Sequence, residues 1–258
     1  LTGALLAAMF SGRITAWNDP QIQAVNPNVK LPALPIVCVA RAEPSGTTAG
    51  FTEYLSKVDP SWASQIGNGL QVAWAKQVVQ VKGNEAMLGA VRDRAGALGY
   101  VSANAVGKNH LVYPLLQNRA HNFVAPTNEA LLAAVKSSTL SREGEKLSYV
   151  DMPSSDAWPI TDATYILLDR SPKDPARATT MLRFIYWSFL RGDAMASETG
   201  YVPLPATIQA RALGMLKKVR NAQDTPLDFM SAPLRGGNVL DELDRSTSSV
   251  GLLAALAW

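Results

Sequence analysis

The sequence has 258 residues, 47% hydrophobic and 17% charged, a folded globular composition that excludes disordered and fibrous classes and allows one large or two small cores. Its 24 Lys and Arg against 21 Asp and Glu give a net charge of +3, and no basic run concentrates that charge, so no nucleic-acid partner is expected. Cys38 is the one cysteine and His110 and His121 the two histidines, which argues against a disulfide and a Cys- or His-rich metal site, and no apolar stretch approaches the roughly 20 residues of a membrane helix.

Helical and strand-like segments alternate, which predicts an α/β protein. Residues 2–10 have helical spacing and stop at Ser11-Gly12, and Asn18-Asp19-Pro20 starts a second short helix. The apolar, β-branched run PIVCVA at 35–40 reads as a buried strand. Residues 47–57 follow as a helix with Phe51, Tyr54, Leu55 and Val58 on one face. Further on, 83–94 reads as a helix, 97–101 as a strand and 128–135 as a helix, and the polar stretch 140–155 reads as a crossover. A new unit starts at Asp156, with a strand at 164–168, a long helix from Asp174 to about Leu190 and two short helices ending near Val219. After Asn221 acidic, Ser- and Gly-rich composition predicts a poorly packed tail, and no repeat is present.

Chemistry concentrates where PIVCVA runs into Arg41-Ala42-Glu43-Pro44-Ser45-Gly46-Thr47-Thr48 and the following helix. A helix start offers unpaired N–H groups and about half a positive charge, which together attract oxyanions. Ser45, Thr47 and Thr48 add hydroxyls, Gly46 permits close approach, and Arg41 supplies a planar fork for a tetrahedral anion. Glu43 can orient that guanidinium or accept a proton from a protonated anion; this would separate phosphate from sulfate. The competing reading is that Ser45 is an ordinary helix cap, Arg41 a surface charge and Glu43 a solvated acid. The stretch is not a P-loop, since G-x-x-x-x-G-K-[ST] is absent. Ser45 also lacks the G-x-S-x-G setting of a hydrolase nucleophile.

Several segments in one order, LLAAMFSGRITAWNDPQIQAVNPNVKLP, RAEPSGTTAGFTEYLSKVDPSW, VKGNEAM, GALGYV, LQNRAHNFVAPT, DAWPIT and YVPLP, make residues 5–213 resemble the periplasmic phosphate-binding proteins of phosphate ABC transporters, the PstS family. The resemblance implies a type II periplasmic-binding-protein fold of two α/β lobes that clamp inorganic phosphate in the cleft between them. It assigns phosphate contacts to Arg41, Ser45, Gly46 and Thr47, with Glu43 as the arginine's partner where the family usually has Asp. Pro44 replaces a commonly small residue and removes one N–H donor.

No counterpart is found for the family's N-terminal first-lobe segment, and the sequence begins at Leu1 rather than Met. The resemblance therefore divides the chain into a second lobe at 1–155, the returning part of an incomplete first lobe at 156–222, and an acidic tail at 223–258. It implies apolar surface left uncovered around Ile166 and Phe184, and phosphate binding weaker than in a complete relative. The expected protein is a monomeric, periplasmic receptor that delivers phosphate to a membrane-embedded ABC permease, without catalysis, cofactor or metal. The alternatives are a phosphate-ester hydrolase using the Ser45 loop, and a truncated, non-binding interaction protein.

Overall fold

The structure is a computed structural model that describes residues 1–108, 111–138 and 148–231. Its residues fall into two compact units, the first spanning Leu1–Asp162 and the second beginning at Ala163. The first unit extends past the expected division at 155 because Trp158 and Ile160 pack against its core and the Trp158 N–H donates to the Ala130 carbonyl at 3.0 Å.

The first unit opens with helix α1 (Gly3–Phe10), whose Thr2 cap accepts from the Leu5 N–H. Residues 5–10 of α1 are apolar on every side and all buried, as expected of a helix enclosed by its neighbours. Helix α2 (Pro20–Ala24) starts at the Asp19 cap with Pro at its first turn. Strand β1 (Val37–Arg41) follows, then α3 (Gly46–Val58), α4 (Pro60–Gln65), β2 (Val79–Val81), α5 (Gly83–Arg92) and β3 (Ala97–Leu98). The three strands form a parallel sheet in the order β2-β1-β3. Val39 and Arg41 lie opposite Val79 and Val81 on one side, and Val37 lies opposite Ala97 on the other. Parallel neighbours need helical crossovers, which α3, α4 and α5 provide. β1 is therefore central, and its Cys38, Val39 and Ala40 are buried.

The core beneath α3 is aromatic. Phe10 meets Phe51 edge-on at 4.9 Å, and Phe51 stacks on Tyr100 at 4.6 Å, geometries that add stabilisation beyond burial. Beyond the sheet lie α6 (Ala103–Lys108), an antiparallel pair β4 (Leu116–Gln117) and β5 (Phe123–Val124), and α7 (Asn128–Ser137).

The second unit holds α8 (Pro175–Arg191), α9 (Asp193–Glu198) and α10 (Ala206–Leu216). α8 starts at Asp174, which caps the Arg177 N–H, and buries Leu182 and Ile185 against Leu216, Val219 and Phe229. The strand expected at 164–168 is not formed: Ile166 is 38% and Leu167 95% exposed, and no ladder among the described residues includes this stretch. β-branched composition makes a strand only where a partner strand supplies hydrogen bonds. Within the segment expected to be a loose tail, Phe229 is buried and meets Tyr186 edge-on; residues 232–258 lie outside the described ones, as do His110 and the first half of the expected crossover. Among the described residues no helix is long and apolar enough to cross a membrane.

Candidate functional site

β1 delivers Arg41 to the carboxyl end of the central strand, and the chain reaches α3 five residues later. Three backbone donors of this loop are taken up within the protein. The Arg41 N–H goes to the Tyr100 hydroxyl at 3.0 Å, that of Ala42 to the Val81 carbonyl at 2.9 Å and that of Ser45 to the Leu70 carbonyl at 2.8 Å. Pro44 has no donor. The first intrahelical bond of α3 is made by the Ala49 N–H, to the Ser45 carbonyl at 3.1 Å. Gly46, Thr47 and Thr48 occupy the first three helical positions, and their N–H groups have no acceptor among the described residues. Three fixed donors and the positive end of a 13-residue helix point the same way.

Ser45 stands at the cap position with extended backbone, but its hydroxyl makes no bond to the helix. The side chain is almost buried, at 8% exposure, so the ordinary capping role is not what this hydroxyl performs. At Gly46 nothing lies within 4 Å of where a Cβ would stand, so the space over the first turn is open. A β-carbon there would intrude on whatever approaches the N–H groups.

Arg41 is held from two sides. Its Nε donates to Glu43 Oε1 at 2.6 Å, its Nη2 donates to the same oxygen, and its Nη1 donates to Asn84 Oδ1 at 2.6 Å. These bonds use three of the five guanidinium donors. One N–H on each Nη remains without a protein partner among the described residues, a fork suited to two oxygens of one anion. Glu43 Oε1 also accepts the Gly83 N–H at 3.0 Å, and Oε2 is buried without a partner. The hydrogen bond from Arg41 is the main reason the Glu43 carboxyl ionises below its ordinary range. The ion pair cancels the arginine's charge locally, so attraction for an anion rests on oriented N–H and O–H donors more than on net charge.

The structure thus brings Arg41, Glu43, Ser45, Gly46 and Thr47 onto one loop and helix start. It adds Asn84 and Tyr100, which the sequence reading missed. Both lie in motif segments, VKGNEAM and GALGYV, but they reach Arg41 across 43 and 59 residues of chain, which local spacing does not disclose. The His121 side chain is exposed in the turn between β4 and β5, at φ 64°. Among the described residues no base is hydrogen-bonded to the Ser45 hydroxyl.

An anion-binding helix start beyond the carboxyl end of a parallel strand is the common position for ligand sites in open α/β sheets. The chain belongs to the PBP superfamily, whose domain matches residues 1–191. More particularly, it is 39% identical over 209 residues to the phosphate-binding protein PstS of Haemophilus influenzae, covering 81% of this chain and 62% of that one. A second PstS, from Xylella fastidiosa, is also 39% identical over 209 residues, with 57% of its length covered. The chain therefore spans about three fifths of the length of these relatives. Among solved structures it resembles a high-affinity periplasmic phosphate-binding protein, PfluDING, bound with phosphate. That match has a TM-score of 0.63 and 19% identity, covering 89% of this chain and 68% of that one, a likeness of fold.

Proposed function

We propose that this chain binds inorganic phosphate at the loop from Arg41 to Thr47 and serves as the substrate-binding component of a phosphate ABC transporter. The observation that carries the reading is the set of unspent donors on one loop and helix start: the N–H groups of Gly46, Thr47 and Thr48 and the open fork of Arg41. Arg41 takes two phosphate oxygens, Ser45 and Thr47 add hydroxyl donors, and Gly46 gives the anion access to the backbone. Glu43 and Asn84 hold the guanidinium side-on so that its Nη end faces the ligand. In this reading the protein binds phosphate and releases it unchanged.

The PstS names of the relatives support the phosphate part of this reading; in the same reading the protein is a periplasmic, monomeric receptor that hands phosphate to a membrane-embedded permease. In the same reading the first unit is the second lobe of the family fold, and the second unit is the returning part of the first. Calorimetric titration with phosphate, with sulfate as control, tests it. Saturable heat that Arg41→Ala abolishes is expected; equal heats for the variant and the parent would overturn the assignment.

A further inference from the structure

The Tyr100 hydroxyl is the one group among the described residues bonded to both the strand end and the helix start of the candidate site. It accepts the Arg41 N–H at 3.0 Å and lies 2.8 Å from Thr48 Oγ1. Thr48 is fully buried and Tyr100 9% exposed, so water does not substitute readily for either bond. The ring is fixed independently by stacking on Phe51, with Phe10 and Trp74 about it. Tyr100 follows β3, the neighbour of β1, so the sheet itself sets the position of the hydroxyl.

The Tyr100–Thr48 pair carries two hydroxyl protons, and one lies between the two oxygens whichever acts as donor. The other has no acceptor among the described residues. The Tyr100 oxygen also accepts the Arg41 N–H, which fixes the first residue of the loop. Burial raises the Tyr100 pKa, which keeps the phenol protonated near neutral pH.

We infer that Tyr100 is a positioning residue for the anion loop: through Arg41 and Thr48 its hydroxyl locks the end of β1 to the first turn of α3, so the Arg41 fork and the three free N–H groups stand at fixed separation before the anion arrives. The inference rests on the phosphate reading for its consequence, though not for its geometry. Preorganised donors bind more tightly than donors that must be ordered on binding. Tyr100→Phe keeps the stacked ring and removes the oxygen, and Thr48→Val removes the other end of the same bond at nearly constant shape.

The experiment uses the 258-residue chain and has two arms. Amide hydrogen exchange on the free protein reads the lock directly: the Arg41 amide is protected in the parent and loses protection in Tyr100→Phe, while the amides of Val39 and Leu55 keep theirs. Phosphate titration reads the consequence: each variant binds roughly three- to tenfold more weakly, the double variant no more weakly than the worse single, and Thr48→Ser stays close to the parent. A merely structural hydroxyl would lower the melting temperature but leave the phosphate affinity of the folded chain unmoved, and that result overturns the inference. An Arg41 amide equally protected in parent and Tyr100→Phe also overturns it. If the parent takes up no phosphate, the phosphate reading fails by itself, and the exchange arm alone decides whether Tyr100 holds the loop.

Discussion

Asp59 sits at the junction of two helices, and replacing it separates two effects whose sizes the structure distinguishes. Its Oδ1 accepts the buried Trp62 N–H at 2.9 Å as the cap of α4, and its Oδ2 accepts the Arg13 Nη2 at 2.5 Å. The Asp59 side chain is 8% exposed and that of Arg13 46%. Asp59→Ala leaves the Trp62 N–H without an acceptor away from water, a cost of about 2 kcal/mol. The ion pair adds only about 0.5 kcal/mol, because the half-exposed arginine regains water. Asp59→Asn keeps a capping oxygen and loses only the smaller part. In chemical or thermal unfolding, Asp59→Ala should therefore lower stability by about 2–2.5 kcal/mol, or roughly 4–10 °C for a unit of this size. Asp59→Asn should cost about a quarter of that. Equal losses for the two variants, or a loss below about 0.5 kcal/mol for Asp59→Ala, would refute this division between cap and ion pair.

The same residue sets a pH dependence. Burial pushes the Asp59 carboxyl up, but the hydrogen bond from Arg13 and those from the α4 backbone outweigh it, so the folded-state value lies below the ordinary one. Its stabilising contribution is thus complete above about pH 4, the unfolded-state value. It is lost as the pH falls through the folded-state value, so acid unfolding curves of the parent should fall more steeply below about pH 4 than those of Asp59→Asn. At Gly96, φ is +77° and a Cβ would stand 2.3 Å from the Pro35 carbonyl oxygen. Gly96→Ala should cost roughly 2–4 kcal/mol in the same unfolding assay, and a loss under about 0.5 kcal/mol would contradict the close approach.

The parts legible in the sequence were those whose cause is local. PIVCVA and the apolar face of residues 47–57 predicted β1 and α3 within a residue or two, since buried strands and amphipathic helices write their periods into the chain. The candidate loop was legible for the same reason, as a strand end, a Gly and hydroxyl residues before a helix. What was not legible was set by distant partners. β2 is three residues long, too short to show a period. The stretch at 164–168 has strand composition but no ladder among the described residues. That Asn84 and Tyr100 serve Arg41 follows from the β2-β1-β3 order, which brings the chain just beyond each outer strand, Asn84 in the first turn of α5 and Tyr100 two residues after β3, beside the end of the central one. The Ser45 hydroxyl was the reverse case: the local pattern suggested a cap, and in the structure the hydroxyl makes no capping bond to the helix.

The most direct measurement of the central claim is a phosphate titration of the isotope-labelled 258-residue chain followed at single amides, with sulfate alongside. The account predicts saturable shifts largest at the Gly46, Thr47 and Thr48 amides and at the Arg41 side chain, absent in Arg41→Ala. Shifts centred elsewhere, or unchanged by Arg41→Ala, would contradict it.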